Sequence, residues 1–140
     1  MNIRTKFGVI AAGLVVATSV VAFTKGHATV VPNSDLKWKN LEIPGVAAAQ
    51  VTGDMTKGPS RFFLKYPVGL EAPMHAHSAD HFGVIVSGWV TITTDGKSTK
   101  LGPGSYISFT GKMPHAAKVE GNEPVVFFID AKGPWDVLMH

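Results

Sequence analysis

Short apolar runs of four to seven residues alternate along this chain with Gly, Pro, Asn and Asp, and no window of a dozen residues beyond position 28 sustains a helical period. The runs Arg61–Tyr66, His81–Ser87, Trp89–Thr94, Ser105–Phe109, Ala116–Val119 and Val125–Asp130 predict β-strands at the spacing of an antiparallel sandwich or barrel. Asp95-Gly96 predicts a tight hairpin, because a type I′ turn needs positive φ at both central residues. Gly102-Pro103-Gly104 and Gly121-Asn122-Glu123-Pro124 mark further reversals. In RFFLKY, alternation places Phe62, Leu64 and Tyr66 on one face, read as core, and Arg61, Phe63 and Lys65 on the other, read as solvated. Arg61 or Lys65 would hold a substrate carboxylate only if that second face lined a barrel. Ser34–Gln50 carries a Pro44-Gly45 turn and neither period, and is read as an arm that packs Trp38 and Leu41 elsewhere.

The amino-terminal segment is of another kind. Arg4 and Lys6 precede 17 uncharged residues, Phe7–Phe23, the basic and apolar regions of a secretory signal. A small-x-small site at Gly26-His27-Ala28 would release a chain starting at Thr29. The alternative is a retained anchor, since 17 residues is the lower limit for spanning a bilayer of about 30 Å. On either reading the remainder lies outside the cytoplasm, in the periplasm or secreted. The expected organisation is a signal at 1–28, an arm at 29–50 and a β-domain at 51–140.

Charge then excludes one class of partner. Arg4, Lys6 and Lys25 fall within residues 1–28, so removing that segment leaves ten basic against ten acidic residues. The basic excess of the whole chain therefore belongs to the signal and gives no support for nucleic-acid binding. Cysteine is absent, which excludes disulfides, thiolate metal sites and a cysteine nucleophile. No Ser-His-Asp triad, phosphate loop or paired-carboxylate site is recognisable.

The histidines carry the chemistry. His75 and His77 are two apart, so on a strand they share a face and offer two imidazoles to one ion. His81 follows a short turn at Ser78-Ala79-Asp80 and opens the next strand, and His115 stands directly after Pro114. Three histidines at i, i+2 and i+6 arise by chance roughly once in five hundred at this histidine content, which favours a metal site over unrelated buried imidazoles. His140 ends the chain and is read as frayed. Asp80, beside His81, is read as a solvated or supporting carboxylate facing away from the ligands. Trp38, Trp89, Trp135, Phe127 and Phe128 are assigned to packing. Met74 and Met113 are placed beside the barrel mouth, and thioether ligation by these or Met139 is set aside.

Gly69-x5-His75-x-His77-x3-His81-x6-Gly88 resembles the first cupin motif, and Leu101 to His115, with its Pro-Gly turn and Pro-His, resembles the second. The chain is also similar to small cupins related to the metal-binding half of ChrR-type anti-sigma factors. The resemblance implies an all-β jelly-roll barrel (double-stranded β-helix), a metal held by residues of both motifs, and a homodimer, with the Ser34–Gln50 arm as a candidate interface element. It departs from the common pattern at His81, which stands where a Glu is usual, so the implied ligand set is His75, His77, His81 and His115. Four neutral ligands leave the full +2 charge on a divalent ion, which favours an anionic ligand. The resemblance favours manganese or iron, while imidazole alone also suits zinc, copper or nickel.

These readings lead to a metal-dependent oxidoreductase of dioxygenase type acting on a small chelating molecule. The alternatives are a Lewis-acid isomerase, lyase or hydrolase, and a non-catalytic metal- or ligand-binding module or sensor. The implied partner is a small-molecule substrate or ligand, with a membrane contacted only through an uncleaved signal.

Overall fold

The computed structural model describes residues 26–139. The expected signal sequence up to residue 25, and His140, lie outside them. Among the described residues the only helical element is a 3-10 turn at Asn33–Asp35, and no helix is long and apolar enough to cross a membrane.

Eleven strands form two antiparallel sheets: β1 (Trp38–Asn40), β2 (Ala47–Gly53), β3 (Ser60–Tyr66), β4 (Glu71–Ala76), β5 (His81–Ser87), β6 (Trp89–Thr94), β7 (Lys97–Leu101), β8 (Tyr106–Phe109), β9 (His115–Glu120), β10 (Val125–Ala131) and β11 (Leu138–Met139). One sheet runs β1-β2-β3-β10-β5-β8 and the other β11-β4-β9-β6-β7. This is the all-β jelly-roll architecture that the alternation in the sequence demands. Phe62, Leu64, Ile85, Phe127 and Ile129 project from the first sheet, Val90, Ile92, Ala117 and Val119 from the second, and they meet in one core. Each of these side chains occupies every second position of its strand, so the pleat alone sorts them inward.

The six strands anticipated from sequence form within one residue of their expected ends. Asp95 (φ 51°) and Gly96 (φ 70°) make the β6–β7 hairpin as expected. The arm reading is corrected at Ser34–Gln50: Trp38–Asn40 and Ala47–Gly53 are paired strands, and Ala47–Ala49 are buried. Three consecutive alanines show neither a helical nor a strand period, so their pairing is set by β3 beside them. The sheet thus begins ahead of residue 51. Strands β4 and β11 carry no run of their own in the sequence pattern, and β7 was implied only by the hairpin turn before it. Pro73 interrupts the apolar pattern of β4, β7 is polar and exposed as suits an edge strand, and β11 is only two residues long.

Candidate metal centre

His75, on β4, and His115, the first residue of β9, are direct cross-strand partners. Their alignment depends on a bulge. Between Ala72↔Ala117 and His75↔His115, β4 uses three steps against two on β9. The extra residue flips the parity of β4, so that Ala72 and His75 both face inward although an odd number of positions separates them. Pro73 sits in this bulge, where it has no ladder hydrogen bond to donate, and its carbonyl accepts the Nδ1–H of His75 at 2.7 Å.

The same device recurs. His81 Nδ1–H points to the Ala79 carbonyl at 3.4 Å, a long contact, and His115 Nδ1–H donates to the Met113 carbonyl at 3.0 Å. Each of these three rings uses the carbonyl two residues before it. His77, just beyond β4, donates instead to the carbonyl of Asp136 in the carboxy-terminal segment. A carbonyl can only accept, so Nδ1 carries the proton and each Nε2 keeps a free lone pair for a ligand or ion.

All four rings line one cavity, with an empty volume of about 370 Å³ including its open mouth. His75, His77 and His115 each offer a ring nitrogen within 4.8 Å of the others, a cluster that can hold a metal ion. His81 is not part of that nitrogen cluster, although its ring centroid lies 4.7 Å from His77 and 5.7 Å from His115. All four are at most 6% exposed. Burial pushes His77 down to about 3 and His115 to about 4, and lowers His81; the carbonyl hydrogen bonds of these three rings oppose it. These imidazoles are therefore neutral at neutral pH, the form that ligates a metal. The donor set fits a divalent ion.

Two aromatic props hold the rings. Trp135 stacks on His77 with centroids 3.9 Å apart, and Phe109 stacks on His115 at 4.1 Å. Trp135 corrects its assignment to packing alone, because it stacks on the His77 ring and lines the cavity. Trp38 and Trp89 do not reach the cavity; Lys65 Nζ lies 4.6 Å from the Trp38 ring, and Trp89 is half exposed. Phe127 faces the cavity and Phe128 faces outward. Met113 packs against the core, whereas Met74 and Met139 are exposed. Arg61 is exposed on the outer face, where it pairs with Asp130, as the alternation of its strand predicts.

Asp80 takes the supporting role read from sequence. Its carboxylate accepts the Gly111 N–H at 2.7 Å, while the Lys112 N–H donates to the His77 carbonyl at 2.7 Å. The turn before His81 and the turn before His115 are thereby tied together. Asp136, which no sequence pattern singles out, accepts the Ser78 N–H at 2.8 Å through its side chain, and that bond lowers its pKa. Around the histidines the cavity wall is apolar apart from Tyr66 and the indole of Trp135, and among the described residues no carboxylate lines it.

Comparison with known proteins agrees with this architecture. The cupin domain model matches residues 62–130. No curated protein matches the chain. Among solved structures, KdgF from Halomonas sp. is 20% identical with a TM-score of 0.61, covering 72% of this chain and 92% of its own. The polyketide cyclase RemF from Streptomyces resistomycificus is 18% identical with a TM-score of 0.67, covering 81% and 85%. An RmlC-like cupin from Shewanella frigidimarina is 14% identical with a TM-score of 0.60, covering 73% and 88%. With two antiparallel sheets enclosing a histidine-lined cavity, and both sequence motifs in place, the chain belongs to the cupin superfamily.

Proposed function

We propose that this chain is an exported metal-dependent cupin enzyme in which His75, His77, His81 and His115 hold one divalent ion, iron or manganese by preference, for dioxygenase-type oxidation of a small chelating molecule such as a diketone, an enol or a phenol. The observation that carries this reading is the convergence of four Nδ1-anchored imidazoles in a cavity without a carboxylate. An ion bound there supplies Lewis acidity and one-electron redox chemistry. The chain supplies the rest. Its neutral ligands leave the ion's charge uncompensated, which selects an anionic oxygen chelate over a neutral one. The apolar wall suits the hydrocarbon part of such a molecule, and the cavity volume restricts it to a small one. Export follows from the amino-terminal signal pattern.

Tyr66 favours a second reading, a Lewis-acid isomerase or lyase. It is the one hydroxyl in the cavity wall among the described residues, and burial pushes its phenol up to about 12, so it remains protonated. It can hold a proton against a developing oxyanion. RemF, a polyketide cyclase, is an example of small-molecule chemistry on this fold.

Elemental analysis of the protein purified without an affinity tag, beside a His75→Ala/His77→Ala variant, tests the proposal. Near-stoichiometric iron or manganese that is lost in the variant, followed by oxygen consumption with a chelating substrate, supports the first reading. Zinc with no oxygen uptake supports the second. No metal after reconstitution overturns both and leaves a barrel that binds an organic ligand directly.

A further inference from the structure

A second cavity lies on the outer face of the five-stranded sheet, with a volume of about 580 Å³ including its open side, inside the range of about 300–1,000 Å³ usual for small-molecule sites. The β4 bulge that aligns the histidines also opens this groove. Between Ala72↔Ala117 and His75↔His115, two residues of β4, Pro73 and Met74, stand against the single residue Ala116 of β9. Ala116 presents only a methyl group there, and Pro73 only its ring, so the floor of the groove is apolar and unfilled. Ala117 lines both this groove and the histidine cavity, which are therefore separated by the thickness of one strand.

The walls are polar and their charges are already matched. Lys118 is the cross-strand partner of Glu71 on one side and of Thr91 on the other, and Thr93 is the partner of Ala116. Lys118 Nζ lies 2.9 Å from Glu71 Oε1. Thr91 Oγ1 donates to Glu120 at 2.8 Å, and Thr93 Oγ1 shares a hydrogen bond of 2.8 Å with Ser98. Each hydroxyl oxygen retains acceptor capacity, and the ammonium and carboxylate each have more hydrogen-bonding positions than one mutual contact consumes. A bare anion would meet the carboxylate of Glu71, and a bare cation the ammonium of Lys118. A zwitterion such as an amino acid would match the pair only by prising it open. A sugar hydroxyl both gives and accepts hydrogen bonds, so it can bridge the closed pair, while the C–H face of the ring suits Pro73 and Ala116.

We propose that this groove is a binding site for a neutral pyranose, which lies with its C–H face on Pro73 and Ala116 and its hydroxyls on Thr91, Thr93, Glu71 and Lys118. The site is open on one side, with Lys118 and Glu71 both exposed, so its affinity is millimolar.

The test is titration of the ¹⁵N-labelled protein with glucose, galactose, mannose and their methyl glycosides, read from the amide resonances. At least one of these sugars is expected to shift the amides of Thr91, Thr93, Ala116 and Lys118 saturably at millimolar concentration. Ala116→Leu fills the floor from a partly exposed position on the outer face, and is expected to abolish these shifts with unchanged circular dichroism. Lys118→Met is expected to raise the dissociation constant about tenfold, the effect of losing hydrogen bonds to a charged group, and Thr93→Val about fivefold. The last two variants change exposed or partly exposed side chains, so they keep the test open should Ala116→Leu distort β9. Saturable binding indifferent to all three variants, shifts confined to residues lining the histidine cavity, or no shift with any of these sugars would each overturn the proposal. A response of the same amides to glycine or inorganic phosphate at concentrations where no sugar acts would overturn it as well.

Discussion

The carbonyl of Asp136 accepts the Nδ1 proton of His77 across 59 residues of sequence, and the side chain of the same Asp136 accepts the backbone N–H of Ser78. One residue thus sets the tautomer of a candidate ligand and fixes the strand end that carries it. Trp135 completes the clamp by stacking on the His77 ring, while its backbone N–H donates to the Met55 carbonyl at 2.7 Å. The histidine cluster is therefore finished by the last described residues of the chain.

Asp136→Ala removes the carboxylate that anchors this segment but leaves the carbonyl in place. The expected result is metal affinity lowered about tenfold, the lower end of the range for groups that orient a ligand. The loss of one exposed hydrogen bond should cost about 1 kcal/mol of stability. Chelator competition measures the first and thermal melting the second. Unchanged affinity would show that the β11 pairing and Trp135 hold the carbonyl without help.

That the four histidines meet in one cavity was legible because their spacing survives in a sequence as simple counting. What orients them was not. The bulge at Ala72–His75 has no composition signal beyond Pro73, and its effect on parity appears only when β4 is laid beside β9. The carbonyls of Pro73, Ala79, Met113 and Asp136 belong to the backbone, which every residue has. Trp135 could have been suspected only from its place beyond β10, since an aromatic residue packs equally well anywhere in a core. Likewise β3, β5 and β10 declared themselves as short apolar runs bounded by turn residues, whereas Ala47–Gly53 became a strand through a neighbour distant in sequence.

His81 separates a three-ligand from a four-ligand site, because its ring nitrogens fall outside the cluster formed by those of His75, His77 and His115. His81→Ala is expected to retain metal at elevated concentration with affinity reduced by at least tenfold, and His115→Ala to lose it outright. Isothermal titration of both variants with the metal found in the parent makes the comparison. Parent-like affinity in His81→Ala would remove His81 from the ligand set.

Gly88 turns the chain from β5 into β6 at φ 75°, and a Cβ there would lie 2.4 Å from the Pro124 carbonyl oxygen. Gly96 has a similar φ of 70°, yet a Cβ there meets nothing within 4 Å. Gly96→Ala should therefore cost about 1 kcal/mol, the left-handed backbone penalty alone. Gly88→Ala adds a backbone clash that no side-chain rotation relieves, and should cost about 3 kcal/mol or more. Denaturant melts of the two variants give the difference, and equal losses would mean that the Gly121–Pro124 turn yields freely.

Tyr66 provides a pH dependence that does not pass through the histidines. Its phenol is pushed up to about 12 by burial, from an ordinary value near 10. A folded-state value raised in this way means that folding favours the protonated phenol. Its contribution is complete below pH 10 and is lost as pH rises from about 10 through about 12. Two pKa units correspond to a loss on the order of 2 kcal/mol over that interval. The difference in phenolate absorbance between the parent and Tyr66→Phe is expected to have its midpoint near pH 12. The stability of Tyr66→Phe should fall less steeply over the same interval. A midpoint near 10 would show that water reaches the hydroxyl, and with it that Tyr66 does not face a dry cavity wall.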